Sequence, residues 1–190
     1  MIKHARVLLL GLPLGLAACG GTSGFESSQV QAFASASQAV AASAASYATQ
    51  ATTMTSASSC SGIQGAYDSQ VRPMVGSMQG MGPSMDEMMG SMNHMGDADM
   101  ECGAYAMMAE LDRHRAVACA SSTDMAPNVA EARQHATTMT GWANHQEARA
   151  HELGSMMGMG GMMGGSGGTG STSSTGRCVH GPDGSYTIQP

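Results

Sequence analysis

The sequence predicts an all-α protein, an up-down-up-down four-helix bundle with an Ala/Met core. Three observations predict it. Apolar residues recur in a 3,4 alternation through four successive stretches, and glycine-containing or polar turn segments separate those stretches. Branched aliphatic residues are scarce: beyond residue 18 there are two Leu, two Ile and seven Val, so alanine and methionine must supply the interior.

The first stretch carries its seam at Val30, Phe33, Ser37, Val40, Ala44, Tyr47, Ala51 and Met54. Residues 26 to 59 contain no glycine, which predicts a helix of about thirty residues and about 45 Å. Ser58, Ser59 and Gly62 end it. The second, 61 to 95, reads Ile63, Tyr67, Val71, Met74, Met78, Met81, Met85, Met88, Met92 and Met95. Pro73, Pro83 and glycines 76, 80, 82 and 90 interrupt it, and an interior proline costs a helix ~3 kcal/mol, so a kinked helix or two shorter ones are expected. Gly96 to Asp99 forms a turn, with Asp99 capping a third helix over 100 to 119 whose seam is Met100, Ala104, Met107, Leu111, His114 and Ala118. Ser121 to Asp124 makes the next turn. Pro127 then sits in the first turn of a fourth helix, where proline is tolerated, and the seam runs from Met125 to Met157.

Flanking segments complete the organisation. Residues 1 to 18 pair a basic start at Lys3 and Arg6 with an apolar run from Val7 to Leu16, a secretory signal too short to span a bilayer. Residues 19 to 26 are expected to be a flexible tether, 27 to 157 the bundle, and 158 to 176 a Gly/Ser/Met linker. The last segment, 177 to 190, holds a Gly-Pro-Asp-Gly turn and a short strand at 185 to 189.

Leu16-Ala17-Ala18-Cys19-Gly20 resembles the lipobox of bacterial lipoproteins. The resemblance implies cleavage before Cys19, lipidation of its sulfur and acylation of the new amine, hence a palmitate-bearing membrane anchor. Gly20 after the cysteine, by the same resemblance, favours the outer membrane and a periplasmic face. The other four cysteines, in an exported chain, read as two disulfides. The up-down order places Cys60 near Cys119 at one end and Cys102 near the tail that carries Cys178. The expected pairs are therefore Cys60–Cys119 and Cys102–Cys178.

Charge removes one class of partner. Without the leader the chain has six arginines, no lysine and fourteen acids, a net charge of -8, and so no basic face for nucleic acid. No nucleophile elbow, phosphate loop or paired carboxylates indicate catalysis, and the chain is expected not to be an enzyme. The chemistry that remains is sulfur. Thioether is a soft, neutral ligand for Cu(I) or Ag(I) and persists in an oxidising compartment. The run from Met85 to Met95 resembles the Met/His-rich segments of periplasmic copper-resistance proteins, which implies copper as the cofactor and Met85, Met88, Met89, Met92, His94 and Met95 as ligands. A second candidate set, Met81, His114, His135 and Met139, is expected to lie at one level inside the bundle. His145 and His151 are expected to face solvent, and five methionines between 156 and 163 form a further cluster.

These observations predict a membrane-anchored periplasmic lipoprotein that binds soft metal for sequestration or handover to an envelope partner. The alternative is a structural or interaction lipoprotein whose methionines only pack the core.

Overall fold

The computed structural model describes residues 22–93, 99–157 and 177–189; the leader, Cys19 and the linker at 158–176 lie outside them. Four helices pack together, α1 (Thr22–Ala51), α2 (Ala57–Asn93), α3 (Asp99–Val117) and α4 (Ala126–Met156). A two-stranded antiparallel sheet follows, β1 (Arg177–His180) and β2 (Tyr186–Gln189), with Cys178 opposite Ile188. The hairpin lies against α3, while α1 packs on α2 and α4, and α3 on α2 and α4.

α1 buries the seam read from the sequence, Val30 through Ala51, with Met54 just past its end buried as well. It begins at Thr22, so helix takes in 22–26, where a tether was expected. Beyond Gly24 nothing there opposes helix, and one glycine costs only about 1 kcal/mol. The turn into α2 is built from hydroxyls: Ser56 N donates to Ser59 Oγ at 3.0 Å and Ser59 N to Ser56 Oγ at 3.1 Å, a reciprocal cap.

α2 is one helix of 37 residues with Pro73 and Pro83 inside it, the continuous one of the two alternatives expected. Packing outweighs the local cost. Tyr67, Val71, Val75, Met78, Gly82 and Met85 are buried in succession across both prolines. Gly82 is a contact point instead of a breaker, because a Cβ there would lie 2.8 Å from Glu101 Cα on α3.

α3 takes its cap from a distance. Asp86 on α2 accepts the amides of Met100 at 3.0 Å and Glu101 at 2.8 Å, whereas Asp99 turns its carboxylate toward α4 and the hairpin. α3 ends before Cys119, which holds a left-handed backbone at φ 60°. α4 opens with Ala126 N on Asp124 Oδ1 at 2.9 Å and Pro127 in the first turn. Two disulfides join the parts, Cys60–Cys119 between α2 and the end of α3, and Cys102–Cys178 between α3 and β1.

Gly103 on α3 lies tightly against Gln146 on α4. A Cβ there would fall 1.9 Å from Gln146 Nε2, which is buried and donates to the Asp99 carbonyl at 3.2 Å. Gly103→Ala should therefore lower stability by about 1–3 kcal/mol, read as a lower urea midpoint at unchanged slope.

Candidate functional site

The core polar centre is assembled from all four helices. α1 supplies Tyr47 and α2 supplies Tyr67, whose rings stack at 4.3 Å. α3 supplies Glu110 and His114, α4 supplies Glu131 and His135, and the two imidazoles stack at 3.9 Å with planes 10° apart. Each histidine bonds the glutamate of the other helix. His114 Nδ1 donates to Glu131 Oε1 at 3.0 Å and His135 Nδ1 to Glu110 Oε1 at 2.7 Å. On the far side of each ring, Tyr47 Oη stands 2.8 Å from His114 Nε2 and Tyr67 Oη 3.2 Å from His135 Nε2. Arg113 clasps both carboxylates at 2.7 Å. The result is two parallel Glu–His–Tyr strings, crossed between helices and tied at their acidic ends.

Electrostatics fix the protonation. A carboxylate only accepts, so Nδ1 of each ring carries a proton. Burial, with His135 alongside, holds His114 below the usual histidine range, so this ring is neutral and its Nε2 accepts from Tyr47. Burial pushes both phenols above the usual tyrosine range, helped at Tyr47 by Glu131 and at Tyr67 by Tyr47, Glu110 and Asp68. For Glu110, burial alone favours the neutral acid, but the bonds from Arg113 and His135 prevail and hold it down to about 2. Glu131 is lowered against burial by Arg113 and His114.

The second candidate set is brought together only in part. His114, His135 and Met139 are buried, but Met81 lies fourteen residues beyond Tyr67, about 21 Å along the helix. The reason is register. Arg72 reaches Asp112 at 2.8 Å and Gly82 abuts Glu101, so Met81 stands level with the start of α3, far from His114. The histidines themselves are engaged at all four ring nitrogens. Stacked rings also aim their in-plane lone pairs side by side, so one ion cannot take both. Among the described residues no group of three His, Cys, Asp or Glu side chains is disposed to hold a metal.

Of the principal set, Met85 is fully buried in the core. Met88, Met89 and Met92 lie in the last turns of α2; His94 and Met95 fall outside the described residues. Met78, Met100, Met107 and Met139 are fully buried as well, replacing the missing leucines.

His145 is buried, contrary to the solvent-facing position expected of it, because Asp99 requires a partner. Asp99 Oδ2 meets His145 Nε2 at 3.0 Å and Arg149 Nε at 2.9 Å, and Oδ1 accepts the Cys178 amide. Burial raises the Asp99 carboxyl, yet these partners outweigh it and leave the group below its ordinary value. His151 is exposed, as expected. Asp86 behaves oppositely: burial lifts it to about 6 despite the two amides that favour its anion. The folded chain then binds more protons than the unfolded one between about pH 4 and 6, so this group's contribution declines as pH rises through that window. In thermal melts, Asp86→Asn should remove that slope relative to wild type.

Sequence reasoning placed Tyr47 and Tyr67 on seams without asking what their hydroxyls would bond, and gave Glu110 and Glu131 no place in the site. A signal was present: Glu110/His114 and Glu131/His135 are both four apart, one pair on each of two adjacent helices. No protein-family model, curated protein or solved structure matches this chain.

Proposed function

We propose that this is an exported, lipid-anchored envelope protein that gathers soft metal, Cu(I) or Ag(I), at one end of its helix set. The helices form an up-down-up-down bundle in this reading. Gln38 on α1 bonds Glu147 on α4, Tyr47 stacks on Tyr67, Asp86 caps α3 and Asp99 binds His145. The start of α1 and the last turns of α2 and α4 then share an end. What supports the function is methionine density in the sequence bordering this end: Met88, Met89 and Met92 fall in the last turns of α2, with His94 and Met95 next in sequence, and Met156 closes α4, with Met157, Met159, Met162 and Met163 following in sequence. The anchor at Cys19 would lie close to the same end, within three residues of α1.

Competition of the full chain with a chromophoric Cu(I) chelator tests it. Replacing Met88, Met89, Met92 and Met95 with Leu and His94 with Ala should abolish tight binding with helicity intact, while Met78→Leu and Met107→Leu in the core should leave it unchanged. Equal, weak binding by all of these proteins would refute the metal reading. It would favour the second one, a structural or interaction lipoprotein, which the fully buried Met78, Met85, Met100, Met107 and Met139 already support. Among the described residues no helix is long and apolar enough to cross a membrane, so attachment in this reading rests on lipid.

A further inference from the structure

The two Glu–His–Tyr strings are elaborate for a core whose polar atoms could have been left out. Tyr47 and Tyr67 are 2% and 5% exposed, so neither phenol can meet a substrate. Their ring partners are saturated with hydrogen bonds and do not converge on an ion. What can reach a buried phenol is an electron vacancy, and what can leave it is a proton. Each hydroxyl has a base within the distance needed for proton transfer, 2.8 Å for Tyr47 and 3.2 Å for Tyr67. Each base is backed by a carboxylate that would stabilise it once protonated. The outer end of the Tyr67 string, Glu110 with Arg113, lines an open cleft of about 310 Å³ between α3, α4 and the hairpin, together with Trp142 and Tyr186.

We propose that Tyr47 and Tyr67 form a buried one-electron redox site, oxidised by an oxygen-derived radical or another strong one-electron oxidant arriving at the protein surface. The electron passes from a phenol to the oxidant. The phenolic O–H bond breaks, an N–H bond forms at His114 or His135 Nε2, and the products are a neutral tyrosyl radical, an imidazolium held by Glu131 or Glu110, and the reduced oxidant. Return of an electron from a reductant reverses the proton shift. Burial makes the phenolate inaccessible, so electron and proton must leave together. Stacking of the two tyrosines at 4.3 Å lets either ring share the vacancy, and exclusion of water protects it. The site is independent of the copper reading, since it uses none of the methionines.

The chain has four tyrosines, which makes the test clean. Tyr105 and Tyr186 lie outside the centre, so in the double variant Y105F/Y186F every tyrosyl signal must come from Tyr47 or Tyr67. The full-length variant is oxidised with photogenerated tris-bipyridyl ruthenium(III) and followed by transient absorption and freeze-quench electron paramagnetic resonance. A long-lived neutral tyrosyl radical, formed more slowly in deuterated water, is expected. Adding His114→Gln and His135→Gln to this variant should slow its formation by about a hundredfold, the effect of losing a positioned base. Absence of a tyrosyl signal in Y105F/Y186F, with its helicity unchanged, would overturn the proposal. So would a radical whose rate is indifferent both to deuterium and to the two histidines.

Discussion

Replacing Asp99 with alanine should cost about 3–5 kcal/mol, the loss expected when one partner of a buried ion pair is removed. Asp99 is 1% exposed and is the only carboxylate shown to hold both His145 and Arg149, which project from successive turns of α4. Arg149 keeps Glu152 as a second partner, but Glu152 stands at the surface and cannot replace a charge in the interior. The variant would also strand the Cys178 amide and loosen the hairpin. Urea unfolding at neutral pH measures the loss, and Asp99→Asn separates charge from shape. The sign of the pH dependence follows from the lowered Asp99 carboxyl. Its contribution is present above the ordinary carboxylate range and disappears as pH falls through the folded value, so the gap between wild type and variant should narrow in acid.

Removing the Cys60–Cys119 bridge with paired serine substitutions should lower stability by about 2–4 kcal/mol. Its ends are 59 residues apart in sequence, so the unfolded chain loses considerable freedom through it, whatever share of the effect is enthalpic. The domain has few other reserves, because Leu111 and Leu153 are the only leucines it buries. Cys60 is also 1% exposed, so serine there adds the cost of a buried hydroxyl. A fall in the urea midpoint of the variant, with the Cys102–Cys178 bridge intact, is the expected result.

How much of this was legible in the sequence depends on whether a feature is local. The α1 seam, the start of α4 at Pro127 and the association of Cys60 with Cys119 follow from periodicity and chain order, and the structure has all three. The sequence left α2 open between one kinked helix and two shorter ones, since proline penalties are local and the burial of Val75, Met78 and Met85 that offsets them is not. Met81 was misplaced for a related reason. Register between α2 and α3 is fixed by Gly82 against Glu101 and by Asp86 at the α3 amides, not by the position of the turn. The polar centre was half legible. Two Glu/His pairs four apart and two seam tyrosines mark it, but the crossing of each histidine to the other helix's glutamate needs the packed structure.

The two disulfides overlap along the chain, one closing residues 60–119 and the other 102–178. A protease cut anywhere from Cys60 to Cys178 therefore leaves both fragments joined until the bridges are reduced. A cut before Cys60 or after Cys178 does part the molecule covalently, and one in the turn between α1 and α2 parts α1 from everything else. If α1 leads to the lipid, a cut in that short turn severs the body from its membrane covalently, and α1 would then hold the rest by packing alone.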